Sequence, residues 1–197
     1  MKASNIPALI LSGGLSKRMG FPKLLLARNG VPVVKTMIGR LRNCGWQPVG
    51  IVISDLTLKS FIESHLPDVS IIVNPAPERG MISSLRLGLD WAGDDMKGLL
   101  ALPIDHPLIA EETLSTLYSY VSSERVIIPT FNGRRGHPTW WGRAAWDRLK
   151  SSDADNGARE ILKDGTVIIK EIPVNDSAVL LNVNTPEVAA EFNLTRY

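Results

Sequence analysis

Strand-length apolar runs alternate with helix-length amphipathic stretches, and this alternation restricts the fold more than any other feature of the chain. Residues 8–11 read as a strand, and 33–44 as a helix with Val34, Met37, Ile38 and Leu41 on one face. Residues 49–53 form a second strand, 56–66 a second helix and 69–73 a third strand, followed by a turn-rich stretch over 74–80. Ser83 or Ser84 is placed to cap a helix running to Ala92, because a serine hydroxyl accepts from unpaired first-turn amides. Residues 98–102 are short and wholly apolar, as in a strand covered on both faces. A helix over 111–121 and an extended run over 126–129 follow. Repeated βα units pack as a mostly parallel sheet with helices on both sides, which predicts an α/β fold: a three-layer α/β/α, Rossmann-like architecture.

The second half changes character. Residues 131–141 suit a hairpin or strand pair, 144–149 and 156–162 look helical, 167–171 extended and 185–192 helical. The later strands are expected to add a mixed edge to the sheet. With 197 residues and no linker, repeat or low-complexity segment, one domain spanning 1–197 is the economical organisation. The balance of 22 basic and 20 acidic residues argues against a protein that coats a polyanion, so any cation cluster should be local and no nucleic-acid partner is expected. Cys44 stands alone, which rules out an intramolecular disulfide and a multi-cysteine metal site. No apolar run approaches the ~18 residues that span a bilayer, and no signal-like core opens the chain. A cytoplasmic protein with no membrane partner is the expectation.

The strand at 8–11 leads into a loop rich in glycine and cations. Ser12, Gly13, Gly14 and Ser16 are followed by Lys17, Arg18 and, after Pro22, Lys23. Loops at the carboxyl ends of parallel strands are where ligands bind in such sheets. Gly13 and Gly14 lack Cβ atoms, so their amides can approach phosphate oxygens, and Pro22 fixes the direction from which Lys23 arrives. Charge-assisted bonds from Lys17, Arg18 and Lys23 to phosphate would be the strong contacts. A solvated basic turn is the alternative. Neither the Walker A spacing nor the dinucleotide fingerprint is met.

Residues 11–23 resemble the signature L-x-x-G-x-S-x-R-M-G-x-P-K of nucleotidyltransferases built on the GT-A-like fold, and within them most resemble the molybdopterin cytidylyltransferases. Four further segments fall in the family's order: Asn74-Pro75 with 80–85, then 102–108, then 133–138, then 182–187. The resemblance implies that Leu11, Ser12, Gly13, Gly14, Ser16, Lys17, Arg18, Lys23, Asn74, Gly80 and Ser84 bind the nucleotide, with Arg18, Lys23 and Asp105 catalytic. It implies Mg²⁺ on Asp105, a hard cation suited to oxygen ligands. The bland reading of Asp105 is a turn aspartate that starts the helix near Ala110, and His106 would only shape that turn. For Gly80 and the serines the bland reading is a glycine turn and a helix cap.

Where the family pattern has Asp-x-Asp-Thr-Pro, this chain has Asn182-Val183-Asn184-Thr185-Pro186. Asn184 therefore stands at the second metal position; an amide oxygen can still coordinate Mg²⁺ but brings no charge. Alternatively Asn184 and Thr185 cap the helix that Pro186 begins. Arg135, Gly136, His137 and Pro138 resemble the acceptor side of the cleft, although Arg134 and Arg135 also suit a solvated hairpin tip. Asp155, Asn156, Gly157, Ala158 and Arg159 resemble a family element after an acidic residue. Trp140, Trp141 and Trp146 read as core or rim packing; Cys44 and His65 carry no chemistry.

The resemblance implies attack of a molybdenum-cofactor phosphate on the α-phosphorus of CTP, giving a CMP-linked product and pyrophosphate. Three alternatives stand beside it. One is a guanylyltransferase on the same cofactor, whose members usually carry Asp before the loop lysine, where this chain has Pro22. Another is transfer to a sugar or polyol phosphate. The third is a non-catalytic carrier of nucleotide or cofactor for a client molybdoenzyme, kept open by Asn182 and Asn184.

Overall fold

The protein is described by a computed structural model, covering residues 5–14, 16, 18–151 and 157–197. Strands β1 (Ala8–Ser12), β4 (Val49–Ile53), β5 (Ser70–Val73) and β6 (Gly98–Pro103) form a parallel set. Strands β7 (Arg125–Phe131), β8 (Arg134–Arg135), β9 (Thr139–Gly142) and β10 (Ile168–Pro173) complete an eight-stranded sheet of order β10-β7-β9-β6-β1-β4-β5, with β8 paired to β7. The expected mixed edge is corrected in one respect. The reversed strand β9 lies inside the sheet, antiparallel to both β6 and β7, while the outer pair β7–β10 is again parallel. All four residues of β9 are buried, which suits an internal strand and not an edge.

Alternation along the strands sorts the core into two faces. Ala8, Ile10, Leu100 and Leu102 meet α1 (Val33–Asn43), α2 (Lys59–His65) and α4 (Glu111–Ser119) through Val34, Met37, Ile38, Leu41, Ile62, Leu114 and Leu117. Leu9, Leu11, Leu99 and Ala101 face the other way, toward Ile82, Leu85 and Leu89 of α3 (Met81–Ala92), Leu149 of α5 (Trp146–Ser151) and Ile161 of α6 (Gly157–Ile161). Each fully buried Leu or Ile contributes roughly 2 kcal/mol of transfer free energy. Trp140 and Trp146 are fully buried and Trp141 nearly so, as packing residues should be.

A third, smaller cluster joins the expected C-terminal helix to three short strands that were not expected. Strands β2 (Leu26–Arg28), β3 (Val31–Pro32) and β11 (Thr195–Arg196) make a three-stranded antiparallel sheet. With α7 (Pro186–Glu191) it buries Met19, Leu26, Val33, Val183, Ala189 and Leu194 together. This patch clamps the C-terminal segment onto the exit of the glycine loop, and so brings distant residues to one place.

The start of α3 is a second correction. The helix begins at Met81, with Gly80 at φ +76° and ψ −172° as its cap, a conformation that only glycine adopts without strain. Ser83 and Ser84 therefore lie inside the first turn and do not cap it. Nor does Asp105 start α4. That role falls to Asp176, whose Oδ2 accepts from the Ala110 amide at 3.0 Å and the Thr113 hydroxyl at 2.8 Å. Arg40 on α1 holds the same connection, donating to the carbonyls of Pro107 and Ile109.

Candidate active site

In the strand order β5-β4-β1-β6 the chain moves outward in one direction from β1 and then returns to the other side of it. A crevice opens at such a switch point, beyond the carboxyl ends of the strands. Here it receives the loop after β1 and the turn after β6. A cavity of about 180 Å³ lies there, lined by Leu11, Gly13, Gly14, Ser16, Lys23, Gly80, Ser84 and Asp105 among others. Eight of the residues expected at the nucleotide or metal positions thus share one cavity.

The glycine loop is shaped by contacts to its own flanks. Ser16 takes φ +47°, its carbonyl accepts from the Met19 amide at 3.0 Å and its hydroxyl from the Lys23 amide at 3.3 Å. Gly13 is buried against Ser84: a Cβ there would come within 2.5 Å of the Ser84 Oγ. Ser84 is in turn held by Asn74, whose amide nitrogen donates to the hydroxyls of Ser83 and Ser84 at 2.9 Å each, while its oxygen accepts from the Ala76 amide. Asn74 is 2% exposed and lines neither this cavity nor its neighbours. Its place is behind the wall, where it orders the two serines and the turn.

Not every expected cation arrives. Arg18 is exposed and is absent from the cavity walls, and Lys17 lies outside the described residues. Lys23 does arrive. Its Nζ stands 3.5 Å from Asp105 Oδ2 and donates to Asn184 Oδ1. The two residues named as metal ligands, from opposite halves of the chain, therefore already converge on one cation. Thr185 alone caps α7, its Oγ1 accepting from the Val188 amide at 3.4 Å. The neighbouring asparagine is left for the site. Val183 completes the alignment by donating its amide to the Asp105 carbonyl at 2.8 Å.

These oxygens suit a hard divalent cation, and one carboxylate plus one amide is a sparse set. Among the described residues no group of three His, Cys, Asp or Glu side chains could hold a metal. A cation at Asp105 and Asn184 would complete its shell with water and phosphate oxygens, the habit of Mg²⁺ beside substrate phosphates.

Leu11 and Met81 also border a second cavity of about 260 Å³, so the two are contiguous. Its floor is apolar (Leu85, Ala101, Ile128, Trp141), and Arg135, Arg159 and Lys163 bring cations to its walls. The expected acceptor residues Arg135, Gly136 and His137 line it, as do Ala158 and Arg159; Pro138 is buried beside them, and Asp155 and Asn156 lie outside the described residues. Arg135 is also paired with Glu171 at 2.7 Å. A Cβ on Gly136 would come within 2.4 Å of the Val179 carbonyl, which accepts from the His137 amide. Thr139 and Lys163 were not anticipated from sequence. Nothing local marks them, because β9 and the end of α6 meet only in the fold.

His106 is buried beneath this junction. A carbonyl only accepts, so its Nδ1 donates to Ala178 O at 3.4 Å. Its ring centroid lies 4.7 Å from that of His137. Burial lowers the pKa of His106, partly offset by Asp105, the Ala178 carbonyl and Asn182. Burial, then the neighbouring His106, lowers His137 to about 4. Both rings are therefore neutral at neutral pH. His65 stacks on Phe61 away from the site, and Cys44 packs between α1 and Glu111. No helix among the described residues is long and apolar enough to cross a membrane.

Known proteins agree with this architecture. A molybdenum cofactor guanylyltransferase from Rhizobium meliloti is 28% identical over 195 residues, covering 92% of this chain and 87% of the relative. The crystal structure of Rv0371c from Mycobacterium tuberculosis superposes with a TM-score of 0.82 at 22% identity, covering 96% of this chain and 98% of the other. A manganese complex of the same protein superposes at 0.76, at 20% identity over 95% and 97% of the two chains. Residues 8–170 match the model of the MobA-like NTP transferase domain, and the chain belongs to that family.

Proposed function

We propose that this nucleotidyltransferase moves CMP from CTP to the phosphate of a molybdopterin-type acceptor and releases pyrophosphate. The observation that carries the reading is the pair of contiguous cavities. One has the glycine loop, Lys23 and Asp105 in its wall and fits a triphosphate; the other has an apolar floor and three cations and fits an anionic heterocyclic acceptor. The reading takes 1–197 as one domain that contributes both halves of the cleft.

In the reaction an acceptor phosphate oxygen attacks the α-phosphorus, a new phosphoanhydride forms, and the α–β bond breaks with its electron pair leaving on pyrophosphate. A phosphate monoester loses its second proton near pH ~6, so the nucleophile is already ionised at neutral pH. No general base is required. The remaining work is alignment and charge neutralisation. The loop amides at Gly13 and Gly14 approach the phosphates, Lys23 neutralises the departing charge, and Gly80 and Ser84 border the nucleoside. Arg135, Arg159 and Lys163 hold the acceptor's anionic groups. Asp105 and Asn184 are the residues that would hold Mg²⁺, which when bound supplies charge neutralisation between triphosphate and attacking phosphate.

A second reading replaces CTP by GTP. The guanylyltransferase name of the 28% identical relative favours it; Pro22 before Lys23 favours cytidine by resemblance. Thermal-shift titration with CTP, GTP, UTP and ATP in the presence of Mg²⁺ separates the two. Preferential stabilisation by CTP is expected, preference for GTP would replace the base assignment, and no shift with any nucleotide would defeat the donor-site reading. Pyrophosphate release from nucleotide plus molybdenum cofactor, lost in Lys23→Ala and Asp105→Ala, tests the transfer itself.

A further inference from the structure

Lys23 stands where a metal would have to stand. Its ammonium contacts both Asp105 Oδ2 and Asn184 Oδ1, and the Lys23 and Asp105 side chains are only 14% and 20% exposed. A divalent ion on the same two oxygens would sit within about 4 Å of that ammonium, where like charges repel by several times the thermal energy even at a protein-like effective dielectric. The local charge count sharpens the conflict. Asp105 contributes one negative charge, Asn184 none, and Lys23 balances the carboxylate. A second carboxylate at position 184 would leave one negative charge to draw a cation in; the asparagine leaves none.

We propose that Lys23 is an internal counter-cation that keeps metal off Asp105 and Asn184 until a nucleoside triphosphate draws the ammonium away, so that metal and nucleotide load together. The inference rests on the metal reading of these two residues given above. The triphosphate would act twice, by attracting Lys23 toward the Gly13–Gly14 side of the cavity and by supplying phosphate oxygens as further ligands. The backbone at Lys23 need not move. Its amide is held by the Ser16 hydroxyl and its approach set by Pro22, while four side-chain torsions let the ammonium swing between Asp105 and the loop. Asn184 follows as the residue that makes loading depend on nucleotide.

The test is Mn²⁺ binding to nucleotide-free protein, read from the free-ion EPR signal, in wild type, Lys23→Gln, Lys23→Arg and Lys23→Gln/Asp105→Asn. Wild type and Lys23→Arg are expected to bind weakly, Lys23→Gln about tenfold more tightly, a change of about 1.4 kcal/mol, and the double variant to return to the wild-type level. Lys23→Arg keeps the charge, so it separates loss of the cation from damage to the loop. In a second arm, calorimetry compares CTP binding with and without Mn²⁺ in wild type and Asp105→Asn. If Lys23→Gln binds Mn²⁺ no better than wild type while Mn²⁺ enhancement of CTP binding still requires Asp105, the counter-cation role is overturned and the metal site stands. If that enhancement is indifferent to Asp105, the metal reading fails and takes the counter-cation role with it.

Discussion

Gly13→Ala gives a direct test of how the donor cavity is built. A Cβ at position 13 would lie 2.5 Å from Ser84 Oγ, well inside contact distance. The serine cannot simply turn away, because its hydroxyl accepts from Asn74 Nδ2 at 2.9 Å, and Asn74 is committed to Ser83 and the Ala76 amide as well. Relief therefore requires either a shifted loop or a broken buried hydrogen bond. Overpacking of a tight site costs about 1–3 kcal/mol, and a net hydrogen bond about 1 kcal/mol, so Gly13→Ala should destabilise by about 2 kcal/mol. Ser84→Ala removes the clashing oxygen and leaves the serine's Cβ 3.7 Å from the new methyl, an ordinary contact. Alone it should cost about 1 kcal/mol for the lost bond to Asn74. The double variant should then be hardly less stable than Ser84→Ala, giving a coupling of roughly 2 kcal/mol. Urea denaturation of the four proteins, with unchanged m-values, measures it. Additivity within about 0.5 kcal/mol would show that Gly13 and Ser84 do not touch as described.

Asp176→Ala removes three acceptor contacts, to Ala110, Thr113 and Ala178. A loss of about 2–3 kcal/mol is expected in thermal or urea unfolding, with Asp176→Asn intermediate. His137 predicts an acid limb: its pKa falls from 6.5 unfolded to about 4 folded, so the unfolded chain binds the extra proton. Stability is full above pH 6.5 and declines as pH falls toward 4, by up to about 3 kcal/mol at 1.36 kcal/mol per unit; urea midpoints across that range should flatten in His137→Asn. Thr185→Ala should cost only about 0.5 kcal/mol, the low end for a cap, because the accepted bond is 3.4 Å long, and nucleotide-induced thermal shifts should persist. Asn184→Asp adds a carboxylate beside Asp105 and should tighten Mn²⁺ binding several-fold without nucleotide, measured by EPR; unchanged affinity would remove Asn184 from the metal reading.

Periodicity made the long elements legible. Val34, Met37, Ile38 and Leu41 mark a helix face at spacings of three and four, and the apolar runs at 49–53 and 98–102 are too short for anything but buried strands. What escaped were features whose cause is tertiary. Strands β2, β3 and β11 have two or three residues each, and β11 finds its partner only after the chain has closed on itself. Ser83 and Ser84 have the chemistry of caps, yet Asn74 claims their hydroxyls, and the helix starts from a left-handed glycine instead. The cation-rich loop was legible as a loop, but residue type alone did not distinguish Lys23, which enters the cavity, from Arg18, which does not. Lys163 lines the second cavity together with Thr139 of β9, a juxtaposition with no local signature.

Asn184 and Thr185 show how a tertiary contact divides two roles that look interchangeable along the chain. Either residue type can cap a helix before proline, and either can offer an oxygen to a cation. The capping geometry is taken by Thr185, which leaves the Asn184 oxygen free to turn outward from α7. It turns toward Lys23 because the cluster of Met19, Leu26, Val183, Ala189 and Leu194 holds the 183–194 segment against the loop's exit, and because the Val183 amide is bonded to the Asp105 carbonyl. The convergence of Lys23, Asp105 and Asn184 is therefore a product of apolar packing some residues away. Loosening that packing, as Leu194→Ala would, should separate Asn184 from Asp105 and weaken nucleotide-dependent Mn²⁺ binding even though Leu194 touches neither.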